Sequence, residues 1–149
     1  MQIRLGNRQD EKAITALVIQ VMKSFDLPVS PDGAEADLKN IEANYFARDG
    51  VFLVAEHEGT IVGIAGARRS DESLLELVRI AVASDWRGKG VARNLISTVI
   101  SFARDLGYGR ILVEPARQYP GGAEFLMRFG FTSDPAEDAQ QPWYYNLGN

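Results

Sequence analysis

The sequence predicts an α/β fold of the mixed (α+β) type, in which helices cover both faces of a central mixed sheet. The first indication is the order of its apolar patterns along the chain, β-α-α-β-β-β-α-β-α-β. The second is the nearly continuous apolar strand at residues 110–114, which requires cover on both sides. The third is length. With 149 residues and 46% hydrophobic content the chain can fill one core but not two, so we expect a single domain over residues 1–149.

The first third of the chain predicts one strand and two helices. Residues 2–5 form a short strand, and Asn7 is a suitable N-cap for a helix that runs to about Lys23. The apolar stripe of this helix consists of Ile14, Leu17, Val18, Val21 and Met22. Two prolines and a glycine make residues 26–33 a loop, and an amphipathic helix follows at residues 34–46.

The middle of the chain predicts an antiparallel hairpin followed by a third strand. Residues 51–56 and 60–68 flank the turn His57-Glu58-Gly59. Residues 74–82 then return along the second arm, through a turn at residues 70–73. His57 is the only histidine, and its place in a polar turn favours an exposed residue over a catalytic one.

The last third predicts two helices that alternate with two strands. Residues 91–106 carry apolar side chains every three or four positions, and Gly107 is a suitable end for this helix. The strand at residues 110–114 follows, and then a helix of about two turns at residues 123–129. Residues 143–147 form the closing strand.

Charge and composition exclude several classes of function. Sixteen basic and twenty acidic residues give a net charge of −4, which provides no general basic surface for nucleic acid or an anionic membrane. Without cysteine the chain has no disulfide and no acyl-cysteine intermediate, and no spacing of His, Asp and Glu suggests a metal site. No apolar run could span a bilayer, and the first residues lack the apolar core of a signal peptide, so we expect a cytoplasmic protein.

A glycine-rich turn, Arg87-Gly88-Lys89-Gly90-Val91-Ala92, leads from the strand at residues 74–82 into the long helix. The free N–H groups and the dipole at a helix start favour an anion, and glycines allow a phosphate or pyrophosphate to come close. Two better-known phosphate loops do not fit this turn. A P-loop requires glycine where Ala83 stands, and a dinucleotide-binding loop requires glycine where Arg93 stands.

The spacing Arg/Gln-x-x-Gly-x-Gly/Ala does fit, with Arg87, Gly90 and Ala92. It resembles the acyl-CoA pyrophosphate loop of the GNAT family of N-acetyltransferases. The preceding strand supports the resemblance with Glu76, Leu77, Arg79 and Val82. The following elements support it too, down to Phe129-Gly130-Phe131 after the short helix. The resemblance covers about residues 51–131, and the earlier residues match only in the order of their elements.

The resemblance implies that acetyl-CoA is the co-substrate. Main-chain N–H groups of Gly88, Lys89, Gly90, Val91 and Ala92 would bind its pyrophosphate, with added charge from Arg87 and Lys89. The family's strand before the loop separates from its parallel neighbour, which implies main-chain groups available to the pantetheine at Ile80, Ala81 and Val82. An N–H group of Val82 or its neighbour would then stabilise the negative charge that develops on the thioester oxygen.

Glu76 is the candidate general base for the amine. Strand alternation places four side chains on one face: Glu76, Val78, Ile80 and Val82. A carboxylate would then stand among apolar neighbours, where it can accept a proton. The alternative is an ion pair that only holds the strand register, with Arg68, Arg69 or Arg79 as partner. The sequence favours neither interpretation.

The general acid for the leaving thiolate is the point at which this chain departs from the family. Aligned on Gly130-Phe131, the family's tyrosine falls at Leu126, which cannot donate a proton. Tyr119 is the candidate substitute, because its loop is expected to border the cofactor sulfur. Tyr144, Tyr145, water and the substrate ammonium are the alternatives.

The sequence therefore predicts an acetyl-CoA-dependent N-acetyltransferase that moves the acetyl group directly to a primary amine through a ternary complex. The acceptor is a small-molecule amine or a peptide N-terminus, selected by residues 26–46 and 115–122, and the acidic balance slightly favours a cationic one. The family often pairs through its last strands, which allows a homodimer. Two alternatives remain, a non-catalytic sensor domain that binds acyl-CoA and a regulatory domain that binds ATP.

Overall fold

The protein is described by a computed structural model for residues 1–114, 120–133 and 141–148. Six strands form one sheet in chain order. They are β1 (Gln2–Leu5), β2 (Val51–His57), β3 (Thr60–Asp71), β4 (Leu74–Val82), β5 (Arg110–Val113) and β6 (Trp143–Asn146). The β4–β5 pair is parallel, whereas the other four pairs are antiparallel. The predicted mixed sheet is therefore confirmed.

Helices cover both faces of this sheet, as predicted. In the described part of the chain they are α1 (Glu11–Ser24), α2 (Ile41–Asn44), α3 (Val91–Asp105) and α4 (Gly122–Phe129). On the face covered by α3 and α4, buried sheet residues such as Leu53, Leu75 and Leu77 pack against Leu95, Val99 and Leu126. On the face covered by α1 and α2, Phe52, Val54 and Ile64 pack against Ile14, Val18 and Ile41. Strand alternation divides the core between these two layers.

The prediction of one continuous helix at residues 34–46 is wrong. The segment forms a 3-10 turn at Ala36–Lys39, the single turn of α2, and a second 3-10 turn at Phe46–Arg48. The break lies at Asn40, whose φ of −152° is extended and whose side chain accepts a hydrogen bond from the N–H of Ala43. An asparagine in this conformation ends one turn and caps the next.

A bulge interrupts the pairing of β3 with β4. Gly66 pairs with Arg79 and Ala67 pairs with Leu77, so Val78 is an extra residue. A bulge places consecutive side chains on the same face and reverses the alternation beyond it. Val78 lies in the core layer under α1 and α2, and Ile80 and Val82 pack against the layer under α3.

The first turn of α3 lies directly against β3. A Cβ atom added to Gly63 would stand 2.7 Å from Cγ1 of Val91 and 3.1 Å from Cδ1 of Leu95. Only glycine therefore allows this approach, which fixes the start of α3 beside the end of β4. Among the described helices, none is both long and apolar enough to cross a membrane.

Candidate active site

The parallel pair β4–β5 opens partway along β4. Among the described residues, this pairing covers Leu74–Arg110, Leu75–Ile111 and Glu76–Leu112, whereas β4 continues to Val82 with β3 as its partner on the other side. The N–H of Ala83 donates to Val62 O in β3 at 2.8 Å. Because main-chain groups alternate along a strand, those of Ala81 also face β3, and those of Ile80 and Val82 face the opening.

The glycine-rich turn lies where β4 ends and α3 begins. Gly88 and Gly90 have φ values of 76° and 83°, the left-handed region that glycine adopts at little cost. Gly90 is the N-cap of α3 and no side chain caps this helix, and a Cβ atom added at either glycine would meet no atom within 4 Å among the described residues. The first N–H groups of α3 have no partner inside the helix. The turn thus presents donors and a positive dipole end to open space, as an anion requires.

Three cationic side chains surround this turn, and each lies over an aromatic ring. The Arg87 guanidinium is 4.7 Å from the ring centre of Phe25, and its Nη2 donates to Ser24 Oγ at 3.2 Å. The Lys89 ammonium is 5.1 Å from the ring centre of Trp86. Arg93 lies 5.2 Å from the ring centre of Phe129 in α4. Such stacking holds the charges beside the helix start.

Arg93 is a site candidate that the sequence interpretation missed. It stands in the first turn of α3, which contains no acidic residue. A cation at the positive end of a helix dipole is unfavourable unless an anion binds there. In the sequence, a basic residue in the first turn of a helix after two glycines could have indicated that Arg93 belongs to the anion site.

Glu76 lies on the opposite face from Ile80 and Val82, so the predicted shared face is wrong. The bulge at Val78 is the cause, because it reverses the alternation between Glu76 and Ile80. Glu76 is half-buried, and it pairs with Leu112 in the last parallel step before the opening. It therefore stands at the entrance to the opening, on the side covered by α1 and α2.

The three arginines considered as partners of Glu76 lie in different places. Arg68 stands directly opposite Glu76 in the β3–β4 ladder. Arg69 Nε is 3.3 Å from Oδ2 of Asp49. Arg79 is bound to Asp37. Of the three, Arg68 is the one adjacent to Glu76, and its guanidinium lies over the Tyr45 ring and donates to Asn44 O at 3.5 Å.

A buried ionic cluster joins β4 to the broken helical segment. Arg79 is 8% exposed, and it donates to both carboxylate oxygens of Asp37, from Nη2 at 2.6 Å and from Nε at 3.1 Å. Its Nη2 also donates to Ala34 O at 2.9 Å, and the Tyr45 hydroxyl donates to Asp37 Oδ2. All described buried side-chain polar atoms have partners.

The protonation of this cluster follows from its hydrogen bonds. Burial, the largest single influence, would raise the pKa of Asp37, but the bonds from Arg79 and Tyr45 outweigh it and lower the pKa below its ordinary value. Burial, and then the adjacent Asp37 carboxylate, raise the pKa of Tyr45. Asp37 is therefore ionised and Tyr45 is protonated at neutral pH.

The candidates for the general acid fall into three groups. Leu126 is a core residue, 5% exposed, in the layer that contains Phe131. Tyr145 packs against the rings of Phe129 and Phe131, and Arg110 lies over the ring of Tyr144. Tyr119 lies outside the described residues.

His57 contacts the glycine-rich region only indirectly. Its ring centre is 4.7 Å from that of Trp86, the same ring that carries Lys89, and its side chain is 39% exposed. The predicted exposed turn residue is therefore the last residue of β2 and packs on one aromatic side chain. Across the described residues, no group of three or more His, Asp and Glu could hold a metal ion.

Comparison with known proteins agrees with this architecture. The model of the acetyltransferase (GNAT) family matches residues 18–131. N-acetyltransferase 8F1 of Rattus norvegicus is 35% identical over 100 residues, which are 64% of this chain and 45% of the relative. The chain thus spans about half the length of the curated relatives it matches.

Solved structures share the fold over the whole chain. A GNAT-family acetyltransferase from Staphylococcus aureus Mu50 aligns with a TM-score of 0.88 and 22% identity, covering 98% of each chain. The Salmonella typhimurium protein yncA, solved with acetyl-CoA, aligns with a TM-score of 0.72 and 23% identity over 100% of this chain and 95% of its own. At these identities the structures establish the fold, and the family model covers most of the chain. This chain belongs to the GNAT family of acetyltransferase enzymes.

Proposed function

We propose that the protein is an acetyl-CoA-dependent N-acetyltransferase that transfers the acetyl group directly to a primary amine. One observation carries the proposal. The part of β4 that has lost its β5 partner ends at a glycine turn that exposes the start of α3. Main-chain groups for an extended amide chain therefore stand next to a site for a pyrophosphate, and CoA contains both groups in that order.

The site residues divide between the two parts of the co-substrate. The N–H groups of Gly88 to Ala92 bind the pyrophosphate, and Arg87, Lys89 and Arg93 add positive charge. The pantetheine amides pair with the main chain of Ile80 and Val82, as an added strand would. Ala81 lies between them, and its main chain is directed to β3. Of the three residues that the sequence predicted to bind pantetheine, Ile80 and Val82 therefore remain.

The transfer forms a C–N bond and breaks a C–S bond. Glu76 accepts a proton from the ammonium, directly or through water, so that the neutral amine can attack the thioester carbon. An N–H group of Ile80 or Val82 donates to the thioester oxygen as negative charge develops on it. The CoA thiolate leaves and takes a proton, for which Tyr119 is the proposed donor.

Transfer is proposed to proceed within a ternary complex, and the absence of cysteine supports this by excluding an acyl-cysteine intermediate. Initial rates measured over a grid of acetyl-CoA and amine concentrations test this step. Double-reciprocal lines that intersect support direct transfer, whereas parallel lines would contradict it.

Binding is tested by isothermal titration with acetyl-CoA, and by competition with CoA and with ATP. Acetyl-CoA and CoA should compete for one site, and ATP should not displace them at equal concentration. Displacement by ATP alone would support the nucleotide-binding alternative instead.

A non-catalytic acyl-CoA sensor is the second candidate function. The observation that favours it is Leu126, which fills the core where the family places its tyrosine. Release of the CoA thiol from acetyl-CoA, measured against a panel of small cationic amines and peptide N-termini, separates the two. Binding without release above background for every amine would favour the sensor.

The acceptor, the homodimer and the cytoplasmic location stay predictions. Residues 26–46 lie on the Glu76 side of the sheet, which supports their proposed role in selecting the acceptor. A thiol-release screen that compares cationic with neutral amines tests the preference for a positive charge.

A further inference from the structure

Pairing of β3 with β4 decides which main-chain groups of β4 face the opening. With Val78 as the extra residue, Gly63 pairs with Val82 and Ala65 with Ile80. If the bulge were absent, each β3 residue would pair one position earlier in β4. Arg79 and Ala81 would then present their main-chain groups to the opening in place of Ile80 and Val82. The position of the bulge is thus a property of the proposed cofactor site.

The side chain of Arg79 distinguishes these two registers. In the observed register Arg79 lies on the α2 side, where both oxygens of Asp37 and the carbonyl of Ala34 accept its hydrogen bonds. Without the bulge Arg79 would pair with Ala65, whose side chain lies in the apolar layer under α3. A guanidinium buried there would have lost its partners, which is strongly unfavourable.

Asp37 is itself held in place by two neighbouring side chains. The Tyr45 hydroxyl donates to its carboxylate, and Asn44 Nδ2 donates to its main-chain oxygen at 3.3 Å. The Tyr45 ring lies on Gly66, where an added Cβ would stand 2.9 Å from its Cε1 atom. The partner of Arg79 is therefore fixed against the same β3 residue that pairs with Arg79.

We propose that Arg79 is a positioning residue whose ion pair with Asp37 holds the β4 bulge in the register that turns Ile80 and Val82 to acetyl-CoA. The inference rests on the proposed function, since it assigns Arg79 a role in the same site. Arg79 acts through the main chain of its neighbours and does not touch the co-substrate. The pair also links the cofactor strand to the segment proposed to select the acceptor.

The double variant Asp37→Leu/Arg79→Met is the main test. It removes both charges together and so leaves neither one buried alone, which favours retention of the fold. Two ligands are titrated, acetyl-CoA and 3′-phosphoadenosine 5′-diphosphate. The second carries the adenosine and pyrophosphate groups of CoA and lacks pantetheine, so it engages the glycine turn without β4.

We expect the double variant to bind acetyl-CoA at least tenfold more weakly than the parent and to bind the pantetheine-free nucleotide within twofold of the parent. Acetyl-CoA hydrolysis per bound enzyme should also fall. The control is Arg4→Met/Asp10→Leu, which removes the hydrogen bonds of 2.8 Å and 3.0 Å between Arg4 in edge strand β1 and Asp10 in the turn before α1. It also removes the two bonds from Arg4 to Glu56, so it disrupts at least as many ionic contacts as the test variant. It should leave both affinities parental.

A folded double variant with parental affinity for acetyl-CoA would overturn the inference, and so would an equal loss of affinity for both ligands. If the double variant does not fold, Arg79→Met decides, because it removes the guanidinium and Asp37 keeps its hydrogen bond from the Tyr45 hydroxyl. A folded Arg79→Met protein must then show the selective loss for acetyl-CoA, and parental affinity would refute the proposal. A parent that binds neither ligand would instead refute the proposed function itself.

Discussion

The two halves of β4 share one strand and differ in what their main chain does. Residues 74–76 pair with β3 on one side and β5 on the other. Within the described part of the chain, residues 77–82 pair with β3 alone, and they contain the bulge and the buried charge of Arg79. Both features are unfavourable in a strand that serves only to hold a sheet together. Their position at the opening supports the proposal that the second half binds a ligand, whereas the first half holds the sheet together.

The largest effect is expected at the turn that follows the open half. Gly90→Glu should abolish binding of acetyl-CoA, with affinity at least 10²-fold lower, because a carboxylate at the helix start repels the pyrophosphate and fills the space it needs. A Cβ atom added at Gly90 meets no described atom within 4 Å, so the fold should survive the strain at φ 83°. Isothermal titration on a variant with parental circular dichroism measures the loss.

Gly107→Glu is the matched control for this variant. Gly107 follows α3 at its other end, has a φ of 82°, and is equally open. The substitution adds the same charge and the same strain about 22 Å away, at a helix end where a carboxylate is less favourable. If Gly107→Glu keeps the parental affinity for acetyl-CoA and Gly90→Glu loses it, the loss is specific to the glycine-rich turn. Equal losses of affinity in both variants would show that the turn is not part of the proposed site.

Glu76 marks the boundary between the two halves, and its substitution should have the next largest effect. Glu76→Gln should lower the turnover by about 10²-fold or more, the usual scale for loss of a general base. The affinity for acetyl-CoA should change less than twofold, since the amide keeps the shape of the side chain. Steady-state rates and titration on the same preparation separate the two quantities.

Glu72→Gln serves as the control for Glu76→Gln. Glu72 is an exposed residue of the turn between β3 and β4, so the same change of charge is made in the same hairpin. Turnover in Glu72→Gln should equal that of the parent. If Glu76→Gln also keeps the parental turnover and pH profile, Glu76 is structural and the base lies elsewhere.

The face of the sheet under α3 could be predicted almost completely from the sequence. Its apolar period is local, and Leu95, Ile96, Val99, Ile100 and Ala103 are all buried as expected. Leu106, placed in the same stripe, is 55% exposed, because α3 ends at Asp105. Gly107 ends the helix as expected, with its φ of 82° and its N–H donating to Arg104 O.

The other face could not be predicted to the same depth, because it depends on contacts between distant residues. The bulge at Val78 follows from the pair of Arg79 with Asp37, which is 42 residues earlier in the chain. The sequence prediction used strand alternation alone, and for this reason it wrongly placed Glu76 and Ile80 on one face. The break at Asn40 comes from capping by its side chain, which the amphipathic pattern of residues 34–46 does not reveal. The proposed role of Tyr119 stays a prediction, since that residue lies outside the described part of the chain.

A smaller effect is expected where β3, next to the open half of β4, supports the start of α3. In Gly63→Ala the new Cβ would stand 2.7 Å from Cγ1 of Val91, a branched side chain that cannot turn away freely. The first turn of α3 must shift, and binding of acetyl-CoA and of 3′-phosphoadenosine 5′-diphosphate should weaken together by about threefold to tenfold. Stability should fall by about 1–3 kcal/mol.

Gly109→Ala is the control for this shift. Its Cβ would lie 3.6 Å from Ser73 O, an ordinary contact, beside the half of β4 that pairs on both sides. Both affinities should therefore be parental in Gly109→Ala. A Gly63→Ala protein that weakens acetyl-CoA alone would contradict the argument, because a displaced helix start must affect every ligand that carries the pyrophosphate.

The smallest expected effect is a change in how stability depends on pH, and it tests whether Asp37 supports the open half as an ionised group. The pKa of Asp37 is lowered in the folded protein, because the bonds from Arg79 and Tyr45 outweigh burial. An unfolded aspartate titrates at about pH 4. The stabilisation from Asp37 is therefore complete above that pH, and it is lost as the pH falls through the lowered folded value.

In the variant Asp37→Asn this stabilisation is absent at every pH. Denaturant unfolding at several pH values from 3 to 7 should show a constant difference in unfolding free energy between parent and variant above about pH 5. The difference should shrink as the pH falls below about 4, because the parent then loses the charge that the variant never had. A difference that stays constant down to pH 3 would show that the ionisation of Asp37 does not contribute to stability, and the ionic account of the bulge would then be wrong.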